Sequence, residues 1–300
     1  MSNTARKSYF QTNKNLLILH ATVFIWGFTG ILGDLISINA VQMVWYRVLI
    51  ASLSLFAYFM LSKTNIKITK SQFLKFFFTG AIVAIHWIFF FHSIKVSNVS
   101  VGLICLSSVT LFTAIIEPLA KKQNISKGDI FIGLVIILGI YLIFKFEAQY
   151  TTGIIFGLLA ALAASVFSTI NSTFVQKTEA SIIGFYEISG AFFWITLYRL
   201  FDQSLQAETF NLSTTDWFYL FVLGTICTAL AYVAGVGVMR TLSAFKVALV
   251  TNLEPVYGIL LALLLFGNKE KMTAGFYAGS LLILAAVFIY PIYKKRRNKA

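Results

Sequence analysis

The stretch 243-SAFKVALVTNLEPVYGILLALLLF-266 decides the fold class of this chain. Its 24 residues include only two charged side chains, Lys246 and Glu254. A helix of about 20 mostly apolar residues is long enough to cross the roughly 30 Å hydrocarbon core of a bilayer. Glu254 and the adjacent Pro255 lie near the middle of the stretch. We therefore predict a membrane-spanning helix that carries a polar group at mid-depth.

Similar apolar runs recur along all 300 residues. Hydrophobic residues make up 58% of the chain and charged residues 12%, with a mean hydropathy of +0.82. An average soluble domain has roughly 45–50% apolar and about 25% charged residues. The sequence lacks the short alternating strands of a membrane β-barrel, and Cys105 and Cys227 lie inside apolar runs as small core residues. The composition therefore predicts an all-α integral membrane protein.

Ten transmembrane helices joined by short loops are predicted. The first apolar run is too long for the h-region of a cleaved signal peptide and lacks a cleavage site, so we expect it to remain as a span. The spans are predicted at 16–36, 42–62, 73–94, 99–120, 130–146, 153–175, 181–200, 217–239, 243–267 and 273–292.

The basic residues predict the orientation of these spans. With a cytoplasmic N-terminus, eighteen of the 24 Lys and Arg residues fall in cytoplasmic segments, five fall outside, and Arg47 lies within a span. The positive-inside rule therefore places both termini in the cytoplasm. The net charge of +13 has the same origin, and the basic tail at 294–299 is expected to contact anionic lipid rather than nucleic acid.

A weak internal repeat relates the two halves of the chain. Residues 97–143 align with residues 243–289 without gaps, which pairs Gly133 with Gly279. Each half would contain five spans, an odd number, so the halves must enter the membrane in opposite orientations. Two inverted five-helix repeats, with a central site between them near the bilayer midplane, are the plan of many secondary transporters.

Short motifs accompany this architecture: Trp26-Gly27 in the first span, Arg47 in the second, Leu242-Ser243-Ala244 at the entry to the ninth, Glu254-Pro255 within the ninth and Phe266-Gly267 at its end. Through the architecture above all, and through these motifs, the chain resembles the EamA-type transporters of the drug/metabolite transporter superfamily. The sequence departs from the family pattern after Gly267, where Glu270 is displaced from its usual position by Asn268 and Lys269.

The resemblance covers nearly the whole chain and implies its domain organisation. It assigns a cytoplasmic tail at 1–15, a first EamA-type repeat at 16–146, a second at 153–292 and a basic cytoplasmic tail at 293–300. It also implies a secondary transporter without a cofactor that exports amino acids or related small metabolites across a bacterial inner membrane. A membrane-embedded receptor or accessory subunit without transport is the alternative.

Motifs for other functions are absent from the sequence. The histidines, cysteines and acids lack metal-site spacing, and we find neither a phosphate-binding loop nor a nucleophile with a base, so no enzyme is predicted. Without an ATP-binding motif, uphill transport would draw on protons or a counter-solute. The predicted partners are therefore a small-molecule substrate and the lipid bilayer, with no nucleic acid, and the sequence leaves the oligomeric state open.

Ionisable residues at membrane depth are costly and usually face a cavity or a partner. Glu254 fits a proton- or substrate-binding carboxylate, or a structural acid fixed by a neighbouring helix. Pro255 cannot donate a backbone hydrogen bond to Thr251, so a free carbonyl is expected beside Glu254. Arg47 has a planar guanidinium that suits a substrate carboxylate, although it could equally be the permanent partner of Glu254.

Other polar and aromatic residues within the spans are weaker candidates. In the third span, His86 shares a helical face with Thr79 and Ser93 and has Trp87 alongside, so pore lining and ordinary packing are both open. Trp26 fits either the wall of an apolar pocket or lipid-facing packing.

The remaining candidates lie on the fourth, sixth and seventh spans. Ser107 and Thr110 begin a polar stripe that could line the inner half of the route. Asn171 fits substrate binding or an amide that joins two helices. Glu187 has no partner that the sequence identifies, so we rank it below Glu254.

Impermeant thiol reagents test the predicted topology. Cysteines introduced at Asn39, Gln149 and Gln206 should react with a reagent added outside intact cells, whereas cysteines at Asn65, Asn124 and Asn298 should not. The unmodified chain is the control, because Cys105 and Cys227 are expected to be shielded. Labelling at Asn124 from outside would contradict the span count and the inverted repeat.

Overall fold

The computed structural model describes residues 9–125, 127–205 and 211–297, and every regular element in these ranges is helical. The other residues include parts of both predicted tails and the labelling positions Gln206 and Asn298, which lie outside the described residues.

Thirteen α-helices form the described part of the bundle. A π-helical segment, Thr225–Leu230, joins two of them, and two 3₁₀ turns occupy Ala148–Tyr150 and Gly267–Glu270. The α-helices are α1 Tyr9–Leu35, α2 Ala40–Ser62, α3 Lys70–Val96, α4 Val99–Leu106, α5 Val109–Ala120, α6 Lys127–Phe146, α7 Thr151–Phe174, α8 Ala180–Phe201, α9 Thr214–Gly224, α10 Ala231–Val238, α11 Ala244–Thr251, α12 Leu253–Phe266 and α13 Ala274–Arg297.

All ten predicted spans coincide with helices. Within the described residues, eight helical segments are long and apolar enough to cross a membrane. The other two segments, in α6 and α13, have shorter apolar parts at Phe131–Phe146 and Ala274–Ala286. Many apolar side chains are exposed on the outside of the bundle, including Leu61 at 85% and Leu264 at 81%, as expected for a surface that contacts lipid. The multi-pass helical class is therefore confirmed, while the count of ten stays a prediction.

Two of the predicted spans are interrupted near their middle, which the sequence analysis did not expect. The fourth span divides into α4 and α5 at Ser107–Ser108, and the ninth divides into α11 and α12 at Asn252. The short helices α4 and α11 match each other. Both contain eight residues, and each is capped by a polar side chain, Asn98 or Ser243, that accepts a hydrogen bond from the backbone three residues later.

The two interrupted spans pack against each other. Helix α4 lies against α12, and α5 lies against α11, so the first half of each span meets the second half of the other. Around this centre, α3 packs against both α7 and α8, and α1 packs against α10 and α12. Helices α2 and α8 form a further pair, as do α6 and α13.

Polar contacts tie together five connections at one end of the bundle, which we call the Asp34 end. Asp34 pairs with Lys269 at 2.7 Å, and Glu147 accepts a hydrogen bond from the backbone N–H of Thr273 at 2.8 Å. Ser37 donates to Asp216, and the amides of Val99 and Ser100 donate to Glu270. Glu270, which the sequence marked as displaced, is thus a fully buried acid at the N-terminus of α4.

The opposite end, which we call the Arg240 end, joins the remaining connections. Arg240 donates to the backbone carbonyls of Val175 and Thr178, at 3.1 and 3.2 Å. Glu117 accepts a hydrogen bond from the backbone N–H of Phe245, at the start of α11, at 2.8 Å. A carboxylate from the end of one interrupted span therefore meets the N-terminus of the other at both ends of the bundle.

Gly80 allows α3 and α8 to approach closely. A Cβ atom at this position would lie 2.8 Å from the backbone nitrogen of Ala191 and nearer still to the carbonyl oxygen of Glu187. Backbone atoms cannot move aside as a flexible side chain can, so the two helices would have to separate. Small residues have this role at helix interfaces in membranes.

Gly80→Ala should therefore destabilise the protein by about 1–3 kcal/mol, the usual cost of overpacking, despite the better helix propensity of alanine. Thermal unfolding in detergent measures the effect. Gly237→Ala is the matched control, because the nearest atom to its new Cβ would be 3.6 Å away, an ordinary contact. Equal melting temperatures for the two variants would show that the close approach of α3 and α8 is wrong.

Candidate functional site

A cavity of about 850 Å³, including the space at its mouth, lies at the centre of the bundle. Both halves of the chain line it, through side chains such as Arg47 and Trp87 from the first half and Tyr232 and Glu254 from the second. The lining extends to Met239 and Ala244, on either side of the connection that contains Arg240. No described residue from the connections of the Asp34 end lines it. The cavity therefore runs from the middle of the bundle toward the Arg240 end.

Arg47 places a buried guanidinium on the cavity wall, with only 2% of its surface exposed. Its Nε donates to the Thr228 hydroxyl at 2.5 Å, and its Cζ lies 4.3 Å from the centre of the Trp87 ring. A cation over an aromatic face gains about 2 kcal/mol or more when it is desolvated. Its Nη1, however, has no hydrogen-bond partner among the described residues. Arg47 is thus held in place but keeps a donor available.

The π-helical segment explains the position of Thr228. The hydroxyl of Thr228 donates to the carbonyl of Leu223, five residues earlier, at 2.6 Å, and accepts from Arg47. Nearby, Gly224 packs against α2, where a Cβ would meet Ile50 at 2.7 Å. Single π turns within α-helices occur often at functional sites.

Glu254 contributes a carboxylate to the cavity wall, and 4% of its surface is exposed. It lies in the first turn of α12, where the helix dipole favours a negative charge. Within the described ranges it forms no hydrogen bond and no ion pair within 4.0 Å, with Arg47 or any other residue. Arg47 and Glu254 do interact electrostatically over a longer distance. Both charges therefore face the cavity without neutralising each other by contact.

The break between α11 and α12 corrects the prediction that Glu254 lies in the middle of a continuous helix. Glu254 lies instead at the start of α12. Because α12 begins at Leu253, Pro255 lies in a first turn, where proline removes no intrahelical hydrogen bond. Asn252 spans the interruption, since its Nδ2 donates to the Ala248 carbonyl at 2.7 Å and to the Thr110 hydroxyl at 2.5 Å. Thr251 lines the cavity and donates to the Val247 carbonyl at 2.9 Å.

Aromatic side chains form most of the remaining wall. Trp87 packs edge-on against Tyr232, with ring centres 5.6 Å apart, and the Trp26 ring lies over Gly235, where a Cβ would come within 2.7 Å of it. His86 has its Nδ1 2.9 Å from the Ala160 carbonyl, which can only accept, so Nδ1 is the donor of this hydrogen bond. Its ring centre is 5.4 Å from that of Phe167.

A buried polar cluster lies behind Tyr232. The Tyr232 hydroxyl donates to Glu187 Oε2 at 2.7 Å, and Asn171 Nδ2 donates to the same oxygen at 3.0 Å. Glu187 and Asn171 are fully buried and do not line the cavity, whereas the Tyr232 side chain does. The cluster joins α7, α8 and α10 and supplies the partners of Glu187 that the sequence did not identify.

The structure thus divides the ten candidate residues into two groups. Six line the cavity: Glu254, Arg47, His86, Trp26, Trp87 and Thr251. Four lie near it without lining it: Ser107 and Thr110 at the helix interruptions, and Asn171 and Glu187 in the cluster behind Tyr232.

Sequence reasoning missed Tyr232, Thr228 and Asn252. Asn252 had a visible signal, because a buried amide two residues before Glu254 is unusual in an apolar run. Thr228 and Tyr232 had none, since their roles depend on a π turn and on the neighbouring helices.

The chain is similar to known proteins at the levels of family and fold. The model of the EamA-like transporter family matches residues 13–145 and again residues 151–290. One solved crystal structure of a protein covers 93% of this chain and 98% of its own, with a TM-score of 0.69 and 12% sequence identity, which shows a shared fold alone. A search of curated proteins finds no match. Because the two family matches span most of its length, the chain belongs to the EamA-like transporter family and contains two EamA repeats.

Proposed function

We propose that this family member is a secondary carrier that exports zwitterionic amino acids, or closely related metabolites, from the cytoplasm across a bacterial inner membrane. The observation that carries the proposal is the pair of opposite charges in one cavity, Arg47 with an unpartnered Nη1 and Glu254 with no hydrogen bond among the described residues. A buried donor left without a partner costs about 1–3 kcal/mol, so a ligand that supplies the partner gains that energy on binding.

The two charges suit the two ends of an amino acid. Arg47 would bind the carboxylate with its planar guanidinium, and Glu254 would bind the ammonium group. Trp26, Trp87 and Phe167 supply the apolar wall for the side chain. A substrate with both groups adds no net charge to the cavity. A phosphorylated polyanion would find one Lys or Arg side chain, that of Arg47, among the described lining residues.

An inverted repeat that crosses the membrane ten times would allow alternating access, in which the central site opens to one side of the membrane and then to the other. The crosswise packing of α4 on α12 and of α5 on α11 supports the opposite orientation of the halves. The matched eight-residue helices α4 and α11 support a common ancestry for the two interrupted spans. In such a repeat, the two halves rock around a fixed central site.

The cavity would face the cytoplasm in this conformation. The positive-inside rule assigns the Arg240 end, with its excess of basic residues, to the cytoplasm, and the cavity runs toward that end. The Asp34 end would then be the closed outer side, held by the contacts of Asp34, Lys269 and Glu270. The structure would thus be the state that loads solute from inside.

The other candidate residues have supporting roles in this proposal. His86 and Thr251 would contribute polar edges to the cavity. Thr110 and Asn252 would hold the two helix interruptions together, and Ser107 would lie beside them with its hydroxyl unpartnered.

Arg47→Lys should abolish most solute binding, because a point charge cannot replace the paired hydrogen bonds of a guanidinium. We expect a loss of about 2–5 kcal/mol in binding energy, or at least roughly thirtyfold in Kd. Stabilisation of the purified protein against heat by mixed amino acids measures it. Arg240→Lys, an exposed position outside the cavity, should bind normally. Normal binding by Arg47→Lys would remove Arg47 from the substrate site.

Glu254→Gln should lose binding of free amino acids while keeping nearly the wild-type melting temperature without ligand. The second expectation follows because Glu254 forms no ion pair within 4.0 Å in the described residues. A drop of several kcal/mol in stability would instead identify a structural acid.

Substrate analogues separate the two charges in the wild-type protein. Amino acid amides lack the group for Arg47, and N-acetyl amino acids lack the group for Glu254, so neither should stabilise the protein against heat. Equal stabilisation by amides and free amino acids would contradict the proposed role of Arg47.

A further inference from the structure

Glu187 is a second buried acid, separate from the carboxylate of the cavity. Its surface is 0% exposed, and its Oε2 accepts hydrogen bonds from Tyr232 and Asn171. Two further oxygens of the cluster, Glu187 Oε1 and Asn171 Oδ1, are buried without a hydrogen-bond partner among the described residues. The substrate site proposed above uses none of these atoms.

Among the described residues, no basic side chain forms an ion pair with Glu187 within 4.0 Å. Its hydrogen-bond partners are Tyr232 on α10 and Asn171 on α7, and neither is a cation. On the other helices packed against α8, Gly80 of α3 lies against the backbone of Glu187 and Ser52 of α2 accepts a hydrogen bond from Ser189. The basic residues of these two helices, Arg47, Lys70, Lys75 and Lys95, form no ion pair with Glu187. An ionised carboxylate in such surroundings would cost several kcal/mol.

These surroundings favour a proton over a metal ion as the neutralising group. Ca²⁺ and Mg²⁺ require about six or more oxygen ligands. The cluster offers the oxygens of three side chains, Glu187, Asn171 and Tyr232. A single proton on the carboxyl group removes the charge without any further ligand.

Tyr232 connects this buried acid with the cavity. Its ring lines the cavity beside Trp87, while its hydroxyl contacts Glu187 at 2.7 Å. A tyrosine hydroxyl both donates and accepts hydrogen bonds. The hydroxyl can give its own proton to Glu187 while its oxygen accepts one from water in the cavity, and rotation of the hydroxyl then restores the starting arrangement. The reverse sequence returns the proton from Glu187 to water.

We propose that Glu187 is a proton-binding site, loaded and unloaded through Tyr232, that couples transport to the proton gradient. Glu187 takes up a proton from water and becomes a neutral carboxylic acid. When it returns the proton to water, it becomes a carboxylate again. Loss of the proton would leave a buried negative charge in the cluster that joins α7, α8 and α10. The energetic cost of that charge would favour a rearrangement of the three helices. The coupling step rests on the proposed carrier function, whereas the proton site itself does not.

Infrared difference spectra of purified protein, taken between acidic and alkaline buffer, test the proton site without any substrate. The carbonyl band of a protonated carboxylic acid should contain a component that disappears in Glu187→Gln and persists in Glu254→Gln and Glu179→Gln. Glu179 is the matched control, an exposed acid at the N-cap of α8, the helix that contains Glu187. A spectrum unchanged by Glu187→Gln would overturn the proposal.

The same samples test the route through Tyr232. Exchange of the Glu187 proton for deuterium should slow in Tyr232→Phe, which keeps the ring and removes the hydroxyl. An unchanged exchange rate would overturn the assigned route.

Transport by proteoliposomes tests the coupling. Glu187→Gln should still exchange labelled amino acids in the absence of a gradient but should no longer accumulate them under a pH gradient, while Glu179→Gln should do both. Accumulation by Glu187→Gln under a pH gradient, or accumulation by the wild type that follows a sodium gradient instead, would overturn the coupling. If the wild type exchanges nothing, the carrier function fails, and the infrared result still decides whether Glu187 binds a proton.

Discussion

The rest of the structure depends on the contact between two interrupted helices at the centre of the bundle. A bilayer offers no water to a free backbone group, so an interruption is tolerated only where protein or a wet cavity surrounds it. Here the Asn252 side chain bonds the Ala248 carbonyl and the Thr110 hydroxyl, and thereby joins the two interruptions. Because α12 begins beside this contact, Glu254 lies at a helix N-terminus that faces the cavity.

The surroundings of Arg47 fix the position of its side chain but leave its charge uncompensated. The side chains around it, Thr228 and Trp87, hold the guanidinium without cancelling its charge. A permanent carboxylate partner would have made the residue structural and closed the site to an anion. The acids that do have firm partners, such as Glu270, Glu147 and Glu117, lie at the two ends of the bundle. The charges at the ends therefore hold helices together, while Arg47 and Glu254 at the centre face the cavity.

Much of this fold was accessible from the sequence, because lipid imposes long apolar helices and the positions of the basic residues mark their ends. The interruptions at Ser107 and Asn252 were not accessible. Neither site has a glycine or a proline at the point where the helix stops, and the interruption depends on the other span packing against it. Pro255 indicated the region of the ninth span where the helix is irregular, but it lies in the first turn of α12 rather than within a continuous helix.

For the candidate site too, the sequence predicts some features, while others depend on how the helices pack. Charge at membrane depth identified Arg47, Glu254 and Glu187, but only the packing separates the two that face the cavity from the one behind Tyr232. The spacing of seven residues placed His86 on one helical face with Thr79 and Ser93, whereas the π turn that positions Thr228 has no recognisable pattern in the sequence.

Counterflow by the purified wild-type protein in liposomes tests the central claim most directly. Vesicles loaded with mixed unlabelled amino acids would be diluted into a trace of the labelled mixture, at equal pH on both sides. A carrier with a single site that opens alternately to each side should draw the label transiently into loaded vesicles and not into empty ones. Equal uptake by loaded, empty and protein-free vesicles would contradict the account and favour a membrane protein that binds a ligand without moving it.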